Sequence, residues 1–327
     1  MWEDIYPILL IIVGVLVGLF VLLLLILTIC HNKMFASRYT VDPDVTYYKK
    51  EEFNMNMDPV EFKVDNDTLR GGVYYHDFEE YKGLIVFCHG MFSSIHSYMQ
   101  DIAYLSSKGY KVLAINYTGI DSSDGKNYRG FGQSLKCIDY AVRYAKENAQ
   151  LNNYDISVVG HSWGGFAALN IQKYHNDIKK AVAIAPFVST RLLLKGYIPK
   201  IFYFVLPAFV LIDSMKCGGY SFANAIKVLK NKENVMIVKS KNDHMVKYEL
   251  NAKKLLDSNN KIASIINDNR LHNPHYTQES VNLLAEYSKK LNGLSSEEQK
   301  ELKRNTDFHK LGELDQEVMD KIVAFIG

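Results

Sequence analysis

Ser162 sits in the run Gly160-His161-Ser162-Trp163-Gly164-Gly165, flanked by a glycine two residues away on either side. A serine hydroxyl is a weak nucleophile at neutral pH; it needs a base in contact with it and a third group to orient that base. The apolar stretch Ile156-Ser157-Val158-Val159 before it reads as a buried strand, and Phe166-Ala167-Ala168-Leu169 after it reads as a helix. Ser162 therefore falls on the tight turn between the two. Glycine at 160 and 164 removes the Cβ atoms that would clash where the chain reverses. The free N–H groups that open the following helix point back toward the hydroxyl.

In this strand, turn and helix context the segment resembles the nucleophile elbow of the α/β-hydrolase superfamily, which includes esterases, lipases and serine aminopeptidases. The resemblance runs from roughly Val60 to the C-terminus. It implies that the partners follow in the order serine, acid, histidine. Asp243, in Lys239-Ser240-Lys241-Asn242-Asp243-His244-Met245-Val246, resembles the acid loop, although Ser240 and Lys241 stand where the family often has a glycine. His272, in Leu271-His272-Asn273-Pro274-His275, resembles the histidine loop and is favoured over His275, although Leu271 replaces the usual preceding glycine. The same resemblance assigns the oxyanion-binding N–H groups to Trp163 and to Met91, the latter in the turn His89-Gly90-Met91-Phe92. His89 is then a structural residue and His161 the variable residue of the elbow. The spacing of His272 and His275 has no companion Cys, His or carboxylate cluster that would make it a metal site.

The elements that must position these residues are legible as apolar runs. Val60–Val64 and Leu69–Tyr75, split by Asp65-Asn66-Asp67, predict an antiparallel hairpin. Leu84–Cys88, Val112–Asn116, Ile156–Gly160, Ala181–Ala185, Val235–Val238 and Ile262–Ile266 are continuously apolar, as strands covered on both faces are. Helical segments alternate with them at Tyr98–Lys108, Gly132–Asn148, Gly164–His175 and Lys247–Ser258, and more helix follows at Thr277–Leu291, Ser295–Arg304 and Asp315–Phe325. This alternation predicts an α/β class: a mostly parallel, doubly wound sheet with its ligand site at the carboxyl ends of the strands. Residues 186–230 form a long insertion rich in aromatic and aliphatic side chains, including Tyr197 to Ile212. The resemblance reads it as a lid suited to an acyl chain or to a bilayer surface; two packed core helices are the plainer reading.

Residues 1–33 read as a transmembrane anchor. From Ile8 to Ile29 there is no charge and Thr28 is the one polar side chain, which meets the about 20 apolar residues a bilayer requires. A secretory signal would have a basic start and a shorter apolar run, whereas Glu3 and Asp4 are the charges that precede this one. Lys33 and Arg38 follow the span and no basic residue precedes it, which orients the large domain toward the cytoplasm. On that side the sequons at Asn66 and Asn116 would have no meaning. Residues 34–59 read as a polar linker, and 60–327 as the catalytic domain.

The 327 residues suffice for one large domain. Lys+Arg 38 against Asp+Glu 36 gives a net charge of +2, which excludes a strong field for nucleic acid. Cys30, Cys88, Cys137 and Cys217 show no disulfide or metal spacing. These readings together predict a membrane-anchored serine hydrolase that cleaves lipid-like or other acyl esters without a cofactor. A peptidase or thioesterase of the same fold, or a non-catalytic binding protein that keeps the fold, are the alternatives.

Overall fold

Alternate residues of the strand Gly83–Cys88 enter opposite cores: Leu84, Val86 and Cys88 join one cluster, Ile85 and Phe87 the other. Side chains of a strand point to opposite faces, so a strand buried on both must be apolar throughout. The computed structural model describes the backbone from Trp2 and the side chains from Ile5 to Gly327. Glu3 and Asp4 lie outside the residues whose side chains are described. The first element is the helix α1 (Trp2–Met34), followed by the strands β1 (Asn56–Val64), β2 (Asp67–Tyr75) and β3 (Gly83–Cys88). Then come α2 (Met99–Ser107), β4 (Tyr110–Ile115), α3 (Gln133–Glu147), β5 (Ile156–His161), α4 (Trp163–Asn170) and β6 (Ala181–Ile184). The insertion holds α5 (Thr190–Leu194), α6 (Leu206–Lys216) and α7 (Ala225–Val228). The chain ends with β7 (Val235–Ser240), α8 (Ala252–Ser258), β8 (Ala263–Asn267), α9 (Gln278–Leu291), α10 (Ser296–Arg304), α11 (Phe308–Leu311) and α12 (Gln316–Ile326).

The eight strands form one sheet in the order β1-β2-β4-β3-β5-β6-β7-β8. β1 and β2 pair antiparallel, β2 meets β4 antiparallel, and every other pairing is parallel. Parallel strands align their carboxyl ends along one edge, where β3, β5, β7 and β8 deliver their following loops together. The sheet is the mostly parallel, doubly wound one expected for an α/β-hydrolase.

The helices start where their caps allow. Thr277 accepts a hydrogen bond from the Ser280 amide before α9, and Asp315 from the Val318 amide before α12. Before α10, Ser295 and Glu298 form a reciprocal capping box. At 116, Asn116 is buried and its side chain accepts from the Ile95 amide. It braces the loop after β3 and is no acceptor for a glycan.

Residues 34–59 do not stand apart from the domain. Phe35 is buried in the core and meets Phe131 edge-on at 4.9 Å. The Tyr39 amide donates to Gly119 O at 3.0 Å and Tyr39 O accepts from Asp121 at 2.7 Å. Arg38 donates to the carbonyls of Gly125 and Ser123, each at 2.7 Å. The segment lacks periodicity because it is held at scattered points, by single side chains such as Phe35 and Met55 in the two cores and by backbone bonds at Tyr39, and not by one continuous apolar face. β1 also begins earlier than the apolar pattern indicates, at Asn56, since Asn56–Pro59 pair with Gly72–Tyr75 although their side chains are largely exposed.

Ile5–Met34 is long and apolar enough to cross a membrane, and no residue of its most apolar stretch is buried. Its last turns are different. His31 is buried, its Nε2 2.8 Å from Asp213 Oδ1 on α6, and its ring is 5.5 Å from that of Phe209. Asp213 Oδ1 also accepts the Phe131 amide at 3.0 Å, just before α3. One carboxylate oxygen thus joins α1, α6 and the start of α3. Replacing a single partner of a buried pair leaves the others unsatisfied, at about 3 kcal/mol. Asp213→Ala should lower the midpoint of thermal unfolding of the detergent-solubilised chain, while Leu211→Ala, on the exposed side of α6, should leave it nearly unchanged.

Candidate functional site

Ser162 links β5 to α4 with φ 55° and ψ −109°, a conformation that few non-glycine residues adopt. Two glycines make it possible by close approach, not by positive φ. A Cβ on Gly164 would lie 1.9 Å from the carbonyl oxygen of Cys88, and one on Gly160 would lie 2.3 Å from Gly164 O. The start of α4 is therefore pressed against the end of β3. The Ser162 amide donates to Ile184 O on β6 at 2.8 Å, and Ser162 O accepts the Phe166 amide at 3.0 Å. The turn is anchored on both sides, with the side chain left free to point away from the sheet.

His272 Nε2 lies 2.8 Å from Ser162 Oγ, and His272 Nδ1 lies 2.7 Å from Asp243 Oδ2. The carboxylate is the natural acceptor at Nδ1–H, which leaves Nε2 to accept the serine hydroxyl. Asp243 Oδ1 accepts the amides of Met245 at 2.8 Å and Val246 at 2.9 Å. Burial acts to raise the Asp243 carboxyl, but the His272 hydrogen bond and charge, then Lys239, outweigh it and hold it at about 2. The residues placed in three separate stretches of sequence stand in one hydrogen-bonded row. His275 does not join it: it is fully buried, with Nε2 3.3 Å from Asp101 Oδ1.

The departures from the family pattern have a physical account. Leu271 sits at φ 49°, the left-handed region where glycine is at ease and leucine is strained. Its amide donates to Asn242 Oδ1 at 3.0 Å, and the Arg270 amide donates to Ser240 Oγ at 3.0 Å. The Ser240 hydroxyl in turn donates to Asn242 Oδ1 at 2.7 Å. The polar side chains of the acid loop thus hold the histidine loop in its strained path.

Three further residues escape a reading by motif. His161 accepts the Tyr98 hydroxyl at Nδ1, 2.7 Å away, and Nε2 is 2.9 Å from the carbonyl of His272. Tyr98 also accepts the Gly90 amide at 3.1 Å. The variable residue of the elbow therefore braces the histidine backbone, and through Tyr98 the turn that carries Met91. Burial, then the neighbouring His272 and His275, hold the His161 imidazole well below its ordinary range, so it is neutral. Lys239, fully buried on β7, donates to Asp243 Oδ2. It follows the apolar run Val235–Val238, where the sequence alone does not tell it from a lysine at a strand's exposed end; the strand runs on to Ser240 and keeps it buried.

Met91 and Trp163 follow the carboxyl ends of β3 and β5, and among the described residues neither amide donates to a backbone or side-chain acceptor. The Trp163 indole donates to Phe131 O at 2.6 Å and is buried. Phe92 and Asn273, next to Met91 and His272, help line a cavity of about 430 Å³ together with Tyr47, His96, Asp101 and Tyr276. Among the described residues no His, Cys, Asp and Glu side chains gather in a group of three that could hold a metal ion.

His89 is buried, with Nδ1–H donating to Gly90 O at 2.8 Å, Nε2 accepting the Tyr117 amide at 3.4 Å, and its ring stacked 3.8 Å from Tyr117. Burial lowers its pKa to about 4, against the Gly90 bond that would raise it. Because the folded value is depressed, this stabilisation is full above the unfolded value of about 6.5 and is lost as pH falls to about 4. Denaturant titrations should show stability falling by about 3 kcal/mol across that window, and His89→Gln should flatten the fall. At the elbow, Gly164→Ala should give no folded chain by circular dichroism, because the Cys88 carbonyl is backbone and cannot yield.

A protein-family model described as serine aminopeptidase, S33 matches residues 79–268. A stretch of 118 residues is 30% identical to bifunctional epoxide hydrolase 2 of Rattus norvegicus, covering 36% of this chain and 21% of that protein. The Mus musculus protein of the same name is 25% identical over 155 residues, covering 47% and 27%. The chain therefore matches about a quarter or less of these curated relatives. A Pyrococcus furiosus esterase has a similar structure at a TM-score of 0.55 and 18% identity, covering 78% of this chain and 96% of that one. Est1E of Butyrivibrio proteoclasticus, bound to ferulic acid, reaches 0.53 at 18% identity, covering 71% and 97%. At such identities the two structures bear on the fold alone. The family model spans more than half of the chain and the fold agrees with it, so the chain belongs to the serine aminopeptidase S33 family of α/β-hydrolases.

Proposed function

We propose that this chain is a membrane-anchored serine hydrolase that cleaves carboxylic esters through an acyl-enzyme. The observation that carries the reading is the unbroken row Ser162 Oγ, His272 Nε2, His272 Nδ1 and Asp243 Oδ2, with contacts of 2.8 and 2.7 Å. Ser162 Oγ attacks the acyl carbonyl while His272 Nε2 takes its proton, and Asp243 steadies the imidazolium. The carbonyl electrons move onto oxygen, where the amides of Met91 and Trp163 hold the charge. His272 then hands its proton to the leaving alkoxide, and the acyl group stays on Ser162. Water, deprotonated by the same imidazole, releases the acid and restores the serine. The reaction needs no cofactor.

A lipid-like acyl ester is the substrate class that the surroundings favour. Ile201, Phe204 and Met215 of the insertion, the proposed lid, are each at least 69% exposed. Phe209 of the same insertion packs on His31 at the end of α1, a contact that supports reading the insertion as a surface near the proposed span. The anchor reading draws support from that end of the helix too: His31 and Phe35 are built into the domain, unlike the tail of a cleaved signal. Lys33 and Arg38 orient the domain toward the cytoplasm. Arg38 also has a structural duty against Ser123 and Gly125, so the charge pattern is not its sole reason to be there.

The family model's description favours one second reading, an aminopeptidase. Short p-nitrophenyl esters and aminoacyl p-nitroanilides offered to the same preparation separate the two, and the ester is expected to turn over faster. Covalent labelling by a fluorophosphonate probe should disappear in Ser162→Ala and His272→Ala and persist in His275→Ala. Ester turnover in the first two variants should fall by about 10⁴-fold or more. A folded native chain that takes no label would overturn the hydrolase reading. Protease added outside sealed right-side-out vesicles, whose lumen is the cytoplasmic side, should leave the domain intact.

A further inference from the structure

Lys239 is fully buried, and its ammonium donates to the same Asp243 oxygen, Oδ2, that His272 Nδ1 contacts at 2.7 Å. Asp243 is its one side-chain hydrogen-bond partner among the described residues. A lysine in this place is costly by ordinary packing rules, since a buried charge needs a partner and an apolar side chain of similar length would fill the strand without one. Orientation of the carboxylate is already secured by the Met245 and Val246 amides on Oδ1. The lysine adds positive charge on the oxygen that serves the imidazole.

We propose that Lys239 is a positioning residue that sets the pH range of the Asp243–His272 pair by sharing Asp243 Oδ2 with the imidazole. This rests on the serine-hydrolase reading. An ammonium on that oxygen partly neutralises the negative charge that favours the imidazolium, so the pair takes up its proton at a lower pH and the base stays free in mildly acidic surroundings. Other groups face it as well. His161 of β5 lies 5.0 Å from His272 ring to ring, and His275 lies 5.2 Å from His161. Arg270 of the histidine loop is occupied by Asp315 at 2.9 Å. Tyr197 of the insertion donates to Met245 O beside Asp243. Among these, Lys239 is the one cation in contact with the carboxylate.

The test is the acid limb of kcat/KM for p-nitrophenyl acetate in the full-length, detergent-solubilised chain and its Lys239→Met and Lys239→Gln variants. Loss of a charge at this range should move the limb up by about one pH unit in both. The imidazole ¹⁵N titration of histidine-labelled protein should move with it and needs no turnover. A limb and a titration unchanged in folded variants, with only kcat or stability reduced, would overturn the inference and leave Lys239 as a packing residue. Failure of both variants to fold would do the same. If the native chain neither hydrolyses the ester nor takes a fluorophosphonate label while the ¹⁵N titration still shifts, the esterase reading falls and the role of Lys239 on the pair stands.

Discussion

The approach of Gly164 to the carbonyl of Cys88 is the contact on which the site depends. It lets the first turn of α4 press on the end of β3, and no side chain larger than hydrogen fits between them. Two consequences follow from the one contact. Ser162 is forced to the crest of the turn in a conformation that costs of order 1–3 kcal/mol, and the loop carrying Met91 leaves β3 directly beside it. The strain is offset by backbone bonds that reach outward, to Ile184 on β6 and from Phe166 on α4. The sheet and helix hold the serine where neither would place it alone.

A second strained residue faces the first. Leu271 at φ 49° costs about 1–2 kcal/mol relative to ordinary backbone. The bonds from Leu271 to Asn242 and from Arg270 to Ser240 contribute about 1 kcal/mol each, which offsets that amount. The acid loop and the histidine loop are therefore one structure. A glycine in place of Leu271 would remove the strain, and with it the reason for both polar side chains. His161 completes the frame from the other side by holding the His272 carbonyl, so the imidazole is fixed by its backbone as well as by Asp243.

The sheet was legible in the sequence because burial on both faces forces unbroken apolar runs such as Leu84–Cys88 and Val235–Val238, and little else produces them. The elbow was legible because two close approaches leave a signature of two glycines around one serine. Part of what escaped depends on contacts between distant segments. His161 bonds to Tyr98 and His272, 63 and 111 residues away, and no local pattern reports a partner at that range. Lys239 ends an apolar run, where a lysine usually marks the strand's emergence into solvent, yet its ammonium turns inward to a carboxylate four residues on. Residues 34–59 carry no period because isolated side chains, Phe35 and Met55, and the backbone bonds of Tyr39 hold them at separate points, and scattered anchors leave no regular pattern.

Asp213 shows how the N-terminal helix and the site are joined. Its Oδ1 accepts from the Phe131 amide and contacts His31; the Phe131 carbonyl accepts the Trp163 indole; and the Trp163 carbonyl accepts the Ser134 hydroxyl. Trp163 is the residue after the serine. Three contacts therefore lead from the last turns of α1, through the insertion helix α6 and the segment before α3, to the first residue of α4, and the fourth ties that residue back to α3. An N-terminal helix that only tethered a domain would need a flexible connection and no buried partner. A helix whose final turns lie in the core, with Phe35 against Phe131, instead sets the tilt of the domain against whatever holds its apolar length. The insertion is tied to that same end of α1 through Phe209 and Asp213 of α6, so the apolar helix and the insertion are held to each other by buried contacts and not by the chain alone.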